Sequence, residues 1–173
     1  MALLRGINVG RAKRIAMADL RTLIERLGYS DERTLLDSGN VVFRASRRAA
    51  AGAASAIESA LVNEIGVAAK VTVLAASEFA LAVEGNPFAD VARDPARYLL
   101  AVLESPEIAA KLAPLVERDW GDERIFLGPR VAYLWCPNGI LESGLLKSVE
   151  RVARNASTTR NWTTVTKLLA LAR

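Results

Sequence analysis

Residues 33–45, RTLLDSGNVVFRA, decide how the chain folds. Val41, Val42 and Phe43 are strong strand formers, and Ser38, Gly39 and Asn40 have the composition of a tight turn. The stretch therefore predicts a strand, a turn and a second strand. Residues 123–136, ERIFLGPRVAYLWC, predict another such hairpin, with a Gly-Pro turn.

A strand and then a helix precede each predicted hairpin, and a helix and then a strand follow it. The periodicity of MADLRTLIERLG at 17–28 shows the pattern best, because its apolar residues recur at i, i+3, i+4 and i+7, and Gly28 is placed to end the helix. The other predicted elements are strands at 2–7, 67–75, 97–104 and 156–159, and helices at 47–65, 77–85, 105–116, 145–154 and 161–172.

The element order β-α-β-β-α-β therefore occurs twice and predicts the ferredoxin-like plait. The expected fold class is α/β (α+β), with two plait halves and extra helices. We expect the first half at residues 1–85, a connector at 86–96 and the second half at 97–173, because the stretch from Gly85 to Arg97 is rich in Gly, Asn and Pro.

Composition excludes several kinds of site. The 173 residues include one cysteine, Cys136, and no histidine, which excludes an intrachain disulfide, His-based nucleophilic catalysis and an ordinary zinc site. We expect no metal site, and the sequence does not identify a cofactor. The sequence has neither 18 consecutive apolar residues nor a signal-peptide pattern, so we expect a cytoplasmic bacterial-type protein without a membrane partner.

Charge is distributed unevenly along the chain. Residues 1–50 carry a net charge of +5, residues 51–140 a net charge of −5 and residues 141–173 a net charge of +4. If the fold brings the two ends together, they form one positive face; otherwise, the basic residues are scattered over a solvated surface.

Five segments together resemble one known family. ALLRGINVG (2–10), MADLR (17–21), DSGNVVF (37–43), NPF (86–88) and TTRNWTTVTKLL (158–169) are similar, in this order and spacing, to the bacterial family of domain of unknown function 1697 (DUF1697). The resemblance implies an α/β fold with plait-like halves and names no substrate. Two positions depart from the family pattern: Asp37 replaces the usual Gln, and Ala16 replaces the usual Pro. If that Gln contacts a ligand in relatives, Asp37 argues against an anionic ligand at that spot.

The first candidate segment follows the first strand. Arg5, Gly6, Asn8, Gly10 and Lys13 lie between a predicted strand and a predicted helix, where ligands of α/β folds often bind. Arginine and lysine can hold phosphate or carboxylate, and glycine lets the backbone approach a ligand. The segment matches neither the P-loop nor the dinucleotide-binding fingerprint. The alternative is a glycine-containing connection with a surface arginine.

Two further segments complete the candidate site. Ser38 and Asn40 can present polar side chains at the end of the sheet, although a plain hairpin turn is favoured there. Arg160, Asn161 and Trp162 precede the last helix, whose free N–H groups attract anions. Trp162 can stack on a base, but its spacing from Val165 and Leu168 favours the core. We interpret Cys136 as structural, since no histidine can activate it.

Three functions remain open. The preferred hypothesis is a small phosphorylated or carboxylated molecule bound in a basic cleft, with the loop at Arg5 on one side and the helix start at Arg160 on the other. The second is RNA binding through a basic face, although the strands lack the aromatic-rich motifs of the RRM. The third is an enzyme that stabilises a transition state with arginine and backbone donors, without histidine.

Overall fold

The computed structural model describes residues 1–8 and 14–173. The chain separates into two compact units: Met1–Ala76 together with Ala170–Arg173, and Ser77–Leu169. Each unit contains one four-stranded antiparallel sheet and helices, so the expected α/β fold with two plait halves is confirmed. The predicted connector, residues 86–96, lies inside the second unit.

The first unit has the strand order β2-β3-β1-β4, with β1 paired to both β3 and β4. This is the order expected of the β-α-β-β-α-β plait, in which the hairpin lies to one side of the first strand and the last strand to the other. Its elements are β1 (Ala2–Arg5), α1 (Met17–Arg26), β2 (Ser30–Leu35), β3 (Asn40–Arg44), α2 (Arg47–Ala51), α3 (Ala53–Ala60), a π-helical turn (Leu61–Ile65) and β4 (Lys70–Val73).

The core of the first unit lies between its sheet and its helices. Leu20 and Ile24 of α1 and Ile57 of α3 are fully buried against Leu4 and Val41 of the sheet. Their spacing along the helices is the one that the sequence periodicity predicted. Gly28 follows α1 at φ +82, the left-handed conformation expected of a residue that ends a helix.

The predicted helix at 47–65 is not continuous. Ser46 caps α2 by accepting a hydrogen bond from the Ala49 N–H (3.2 Å), but the helix stops at Gly52 and resumes as α3. Glycine is a poor residue for a helix interior, which explains the interruption at this point. The last turn is π-helical and ends at Gly66, which has a left-handed conformation at φ +75.

The second unit repeats the topology with the strand order β6-β7-β5-β8. β5 pairs with β7 and with β8, and Leu100 lies opposite Tyr133 on one side and Arg160 on the other. Its elements are α4 (Ala76–Glu84), β5 (Tyr98–Leu103), α5 (Pro106–Leu112), a 3-10 turn (Ala113–Leu115), β6 (Arg124–Leu127), β7 (Val131–Trp135), α6 (Gly144–Ala153), β8 (Ser157–Asn161) and α7 (Trp162–Ala172).

Helix α4 forms hydrogen bonds with residues of the second sheet and its β6–β7 turn. The Tyr133 hydroxyl donates to the Ala82 carbonyl (2.6 Å), and the Arg130 guanidinium bonds the Glu78 carboxylate (2.9 Å). These contacts attach α4 to the second unit, which begins at Ser77. Among the described residues, none of the helices has the length and apolar character that crossing a bilayer requires.

Candidate functional site

Asn8 organises the loop that follows β1. Its Oδ1 accepts a hydrogen bond from the Ile15 N–H (2.9 Å), and its Nδ2 donates to the Ile15 carbonyl (3.2 Å) and to the Asp37 carbonyl. Asn8 itself has φ +54, a left-handed conformation that asparagine tolerates better than most residues. One side chain thus ties both ends of the loop to the β2–β3 turn.

The β2–β3 turn packs directly on the end of β1. The Leu4 N–H donates to the Gly39 carbonyl (2.8 Å), and Gly39 has φ +73. A Cβ atom at Gly39 would lie 2.6 Å from Ile7 Cδ1 and 2.7 Å from Leu4 Cβ. Only glycine fits there, so the segments that contain Asn8 and Gly39 meet in the structure.

Ser38 and Asn40 bond within their own turn. Asn40 is fully buried, and its Nδ2 donates to the Leu35 carbonyl (2.9 Å) and to Ser38 Oγ (2.8 Å). The favoured interpretation of this segment as a hairpin turn therefore has a structural basis. Both side chains hold the turn in the shape that lets Gly39 approach β1.

A pocket of about 480 Å³ opens beside this junction. The described residues that line it come from both ends of the β1–α1 loop and from the β2–β3 turn: Asn8, Arg14, Ile15, Ala16 and Asp37. Arg14 supplies a positive charge, and Asp37 supplies a negative one. Ala16 precedes the first residue of α1 and has no polar side chain to cap the helix N–H groups.

Sequence reasoning missed Arg14 and did not include Asp37 among the ligand contacts. Arg14 is the last residue of the basic stretch that begins at Arg11. The next residue, Ile15, is buried in the core. That change from charged to apolar is the signal that could have placed Arg14 at the pocket. Gly10 and Lys13, which the sequence did predict, lie outside the described residues.

Arg5 ends β1 opposite Lys70 of β4 and is half-buried. Because side chains alternate along a strand, Arg5 lies on the same side of the sheet as Leu3, away from the core that contains Leu4. Gly6 follows with φ +80 and turns the chain towards Asn8. Arg5 is not among the residues that line the pocket.

Arg160 lies within β8, opposite Leu100, on the side of the second sheet opposite α5 and α6. The predicted edge strand at 156–159 thus extends through Arg160 to Asn161. Its Nη1 donates to the Thr159 carbonyl (2.9 Å), and burial lowers the pKa of the guanidinium to about 10. Arg160 is thus a half-buried strand residue that directly precedes Asn161 at the start of α7.

Asn161 caps α7. Its Oδ1 accepts hydrogen bonds from the Thr164 N–H (3.0 Å) and the Thr164 hydroxyl (2.8 Å), as expected of a residue before a helix. The next residue, Trp162, stacks on Tyr98, with ring centroids 4.4 Å apart. The core interpretation of Trp162 therefore has direct support.

The predicted site residues thus fall into two groups. Arg5, Gly6, Asn8, Ser38 and Asn40 belong to the first unit, and Arg160, Asn161 and Trp162 belong to the second. Within the first unit, the loop after β1 and the β2–β3 turn meet at one pocket. The convergence of Arg5 and Arg160 on a common ligand stays a prediction.

Cys136 is fully buried and hydrogen-bonded to Ser143, with Sγ 3.4 Å from the hydroxyl oxygen. Burial raises the pKa of its thiol to about 11, so the nucleophilic thiolate is scarce at neutral pH. The structural interpretation of Cys136 fits this environment. Within residues 1–8 and 14–173, the Cys, Asp and Glu side chains form no group of three that could bind a metal.

Comparison with known proteins gives a family and a fold. The sequence model of the family described as protein of unknown function (DUF1697) matches residues 1–133. The solved structure of conserved bacterial protein SP0830 from Streptococcus pneumoniae has a TM-score of 0.80 and 23% sequence identity, over 99% of this chain and 97% of that one. No curated protein matches the sequence significantly. At this identity the structural likeness establishes the fold alone.

Proposed function

Because the chain belongs to the DUF1697 family of proteins of unknown function, its activity has to be argued from its own residues, and we propose that it binds a small anionic ligand. The ligand carries phosphate or carboxylate and occupies the pocket beside Asn8 in the first unit. The observation that carries the proposal is that Arg14 lines a pocket that also reaches the start of α1 at Ala16.

Two sources of positive potential support anion binding at this position. Arg14 offers a guanidinium, which bonds phosphate or carboxylate through a planar pair of donors. The first N–H groups of α1 have no partner within the helix, and the helix dipole places partial positive charge there. A phosphate is therefore a chemically suitable ligand for this pocket.

The shape of the pocket is set by residues with constrained backbones. Asn8 and Leu36, which lie in the two segments that meet here, have φ of +54 and +58, a conformation that residues other than glycine rarely adopt. Unfavourable conformations of this kind persist only where the surrounding structure holds them, and they concentrate at binding sites. The hydrogen bonds of Asn8 to Ile15 and to the Asp37 carbonyl supply that support where the two segments meet.

The burial of the second sheet favours this proposal over RNA binding of the RRM type. An RRM stacks bases on exposed aromatic residues of its sheet. In the second unit Tyr98, Leu100 and Tyr133 lie on the sheet side opposite α5 and α6, and all three are at most 3% exposed. The excess positive charge is concentrated in the first unit, which carries 12 Lys and Arg against seven Asp and Glu.

The proposal is tested by ligand titration of wild type and three arginine variants. Arg14→Gln removes the pocket charge, Arg160→Gln tests the predicted contribution of the second unit, and Arg33→Gln removes an exposed arginine of β2 as the matched control. Inorganic phosphate, alkyl and sugar phosphates, citrate and a short RNA are titrated at low and high salt, with binding followed by calorimetry.

We expect a small anion to bind wild type and Arg33→Gln equally and to bind Arg14→Gln at least tenfold more weakly. RNA binding would instead show an affinity that falls with salt at a slope of about −0.7 for each neutralised phosphate. Equal binding by wild type and Arg14→Gln, or binding of RNA alone, contradicts the proposal. A loss of affinity in Arg160→Gln adds the second unit to the site.

A further inference from the structure

The pocket beside Asn8 carries charges of both signs. Arg14 and Asp37 belong to different segments, the β1–α1 loop and the β2–β3 turn, and both line the same pocket. A site for a bare anion gains nothing from a carboxylate on its wall, since like charges repel. A carboxylate is an acceptor only, and it binds groups that donate hydrogen bonds. The residue at position 37 therefore points to a second chemical group on the ligand.

The backbone of Asp37 is held by contacts within the first unit. Its carbonyl accepts a hydrogen bond from Asn8 Nδ2, and the turn that carries it is held by the approach of Gly39 to Leu4 and Ile7. The Asp37 backbone is thereby tied to the same asparagine that shapes the loop of Arg14. An acceptor and a cation on the walls of one pocket can bind two groups of one molecule at once.

We propose that the pocket selects phosphate esters of polyols or sugars, with the phosphate on Arg14 and ligand hydroxyls donating to the Asp37 carboxylate. This inference rests on the proposed anion site and specifies its ligand class. The volume, about 480 Å³, accommodates a phosphorylated sugar. Hydroxyl groups beside a phosphate supply the donors that a carboxylate needs, without adding a charge.

A matched pair of small ligands isolates the hydroxyl contribution. Glycerol phosphate and propyl phosphate carry the same phosphate and the same number of carbons, and only the first has hydroxyls. Phosphoethanolamine replaces the hydroxyls by an ammonium group. The dissociation constant of each is measured by two-dimensional NMR titration for wild type, Asp37→Asn, Asp37→Ala and Asp31→Asn. Asp31 is an exposed carboxylate at the opposite end of β2 and serves as the matched control.

We expect wild type and Asp31→Asn to bind glycerol phosphate about tenfold more tightly than propyl phosphate. Asp37→Ala removes this preference, while Asp37→Asn, which keeps one acceptor oxygen, retains part of it. Both Asp37 variants bind propyl phosphate at least as well as wild type, because a repelling charge is gone. This opposite response to the two ligands is what a merely structural role of Asp37 would not produce.

Three results overturn the inference. If wild type binds glycerol phosphate and propyl phosphate with equal affinity, the ligand hydroxyls make no favourable contact. If the preference for glycerol phosphate survives in Asp37→Ala, the hydroxyls contact a residue other than Asp37. Tighter binding of phosphoethanolamine than of glycerol phosphate assigns the site to ligands with a cationic group. The anion site itself is judged separately: if propyl phosphate binds wild type and Arg14→Gln equally, or neither, the proposed function fails together with this inference.

Discussion

The indole ring of Trp162 stacks on the phenol ring of Tyr98, with centroids 4.4 Å apart and an angle of 20° between the planes. Tyr98 also meets the ring of Phe88 edge-on and donates its hydroxyl to Asn86 Oδ1 (2.5 Å). Two segments that are far apart in sequence, NPF at 86–88 and NW at 161–162, therefore converge on one buried tyrosine. This convergence gives both segments a packing role in the second unit.

Trp162→Ala should destabilise the protein by about 2–4 kcal/mol, because it removes a large half-buried ring together with its stacking contact with Tyr98. Trp162→Phe keeps an aromatic ring on Tyr98 and should cost less than half as much. The free energy of unfolding in urea measures both. A change below about 0.5 kcal/mol for Trp162→Ala, as at an ordinary surface position, would contradict the packing role.

Gly39→Ala should be strongly destabilising, by about 2–4 kcal/mol, since the new methyl group meets Ile7 and Leu4 in addition to the unfavourable φ. Gly28 is the matched control. It also has a positive φ, +82, but a Cβ there would have no neighbour within 4 Å. Gly28→Ala should therefore cost about 1 kcal/mol. Equal losses in thermal or urea unfolding would mean that backbone conformation alone accounts for both.

Asn8→Ala removes the three hydrogen bonds that close the β1–α1 loop and should cost about 2–3 kcal/mol. It should also weaken anion binding, because Arg14 loses the support of the loop. Asn63→Ala makes the same chemical change at an exposed position and should stay within about 0.5 kcal/mol of wild type. Urea unfolding and phosphate titration on the same samples compare the two effects. A stable Asn8→Ala protein would show that other contacts hold the loop.

Because of Cys136, the free energy of unfolding should decrease as the pH rises into the alkaline range. Its thiol pKa rises from 9.0 to about 11 in the folded protein because of burial, so between these values the unfolded chain has lost the proton while the folded chain keeps it. Stability contributed by the thiol is present below pH 9 and declines as the pH rises towards 11, by up to about 2–3 kcal/mol.

The comparison of wild type with Cys136→Ala isolates this thiol. The difference between their unfolding free energies should be constant below pH 8 and should shift in favour of Cys136→Ala from about pH 9 upward. Thiol reagents should label native wild type slowly at pH 8 and the unfolded chain rapidly. Rapid labelling of the native protein would refute the buried, protonated state of Cys136.

Asn161→Ala should lower the free energy of unfolding by about 1 kcal/mol, because the cap of α7 is lost. Asn161→Asp and Asn161→Ser should retain most of this stability, because both side chains can also cap a helix. The fraction unfolded in urea distinguishes the three. If Asn161 also contacts a ligand, Asn161→Ser should reduce affinity while leaving stability near the wild-type value. An Asn161→Ala protein as stable as wild type would mean that α7 is fixed by packing alone.

The fold followed from local patterns. Helical spacing in α1 and the two hairpins were readable from the sequence because each depends on residues within a dozen positions of one another. The helix at 47–65 was read as continuous because its apolar residues keep a four-residue spacing across Gly52. A single glycine inside an alanine-rich helix weighs little in such a pattern, although in the structure it separates α2 from α3.

The site was less accessible to sequence reasoning. The contact of Gly39 with Leu4 and Ile7 joins segments that are neighbours only because β3 pairs with β1. The position of Arg14 and Asp37 on one pocket likewise depends on contacts between distant segments, which no local spacing encodes. Asn161, by contrast, was a foreseeable cap because its partner, Thr164, is three residues away.

The strand order of each sheet has a consequence for synthesis on the ribosome. β5 occupies an inner position of its sheet and all six of its residues are buried, yet its second neighbour, β8, begins only at Ser157. A nascent chain that has passed Leu103 must therefore hold one edge of an apolar strand unpaired until β8 emerges from the ribosome. Open strand edges recruit other chains. This period of aggregation risk, and of need for a chaperone, is thus set by topology and lasts from the synthesis of β5 to that of β8.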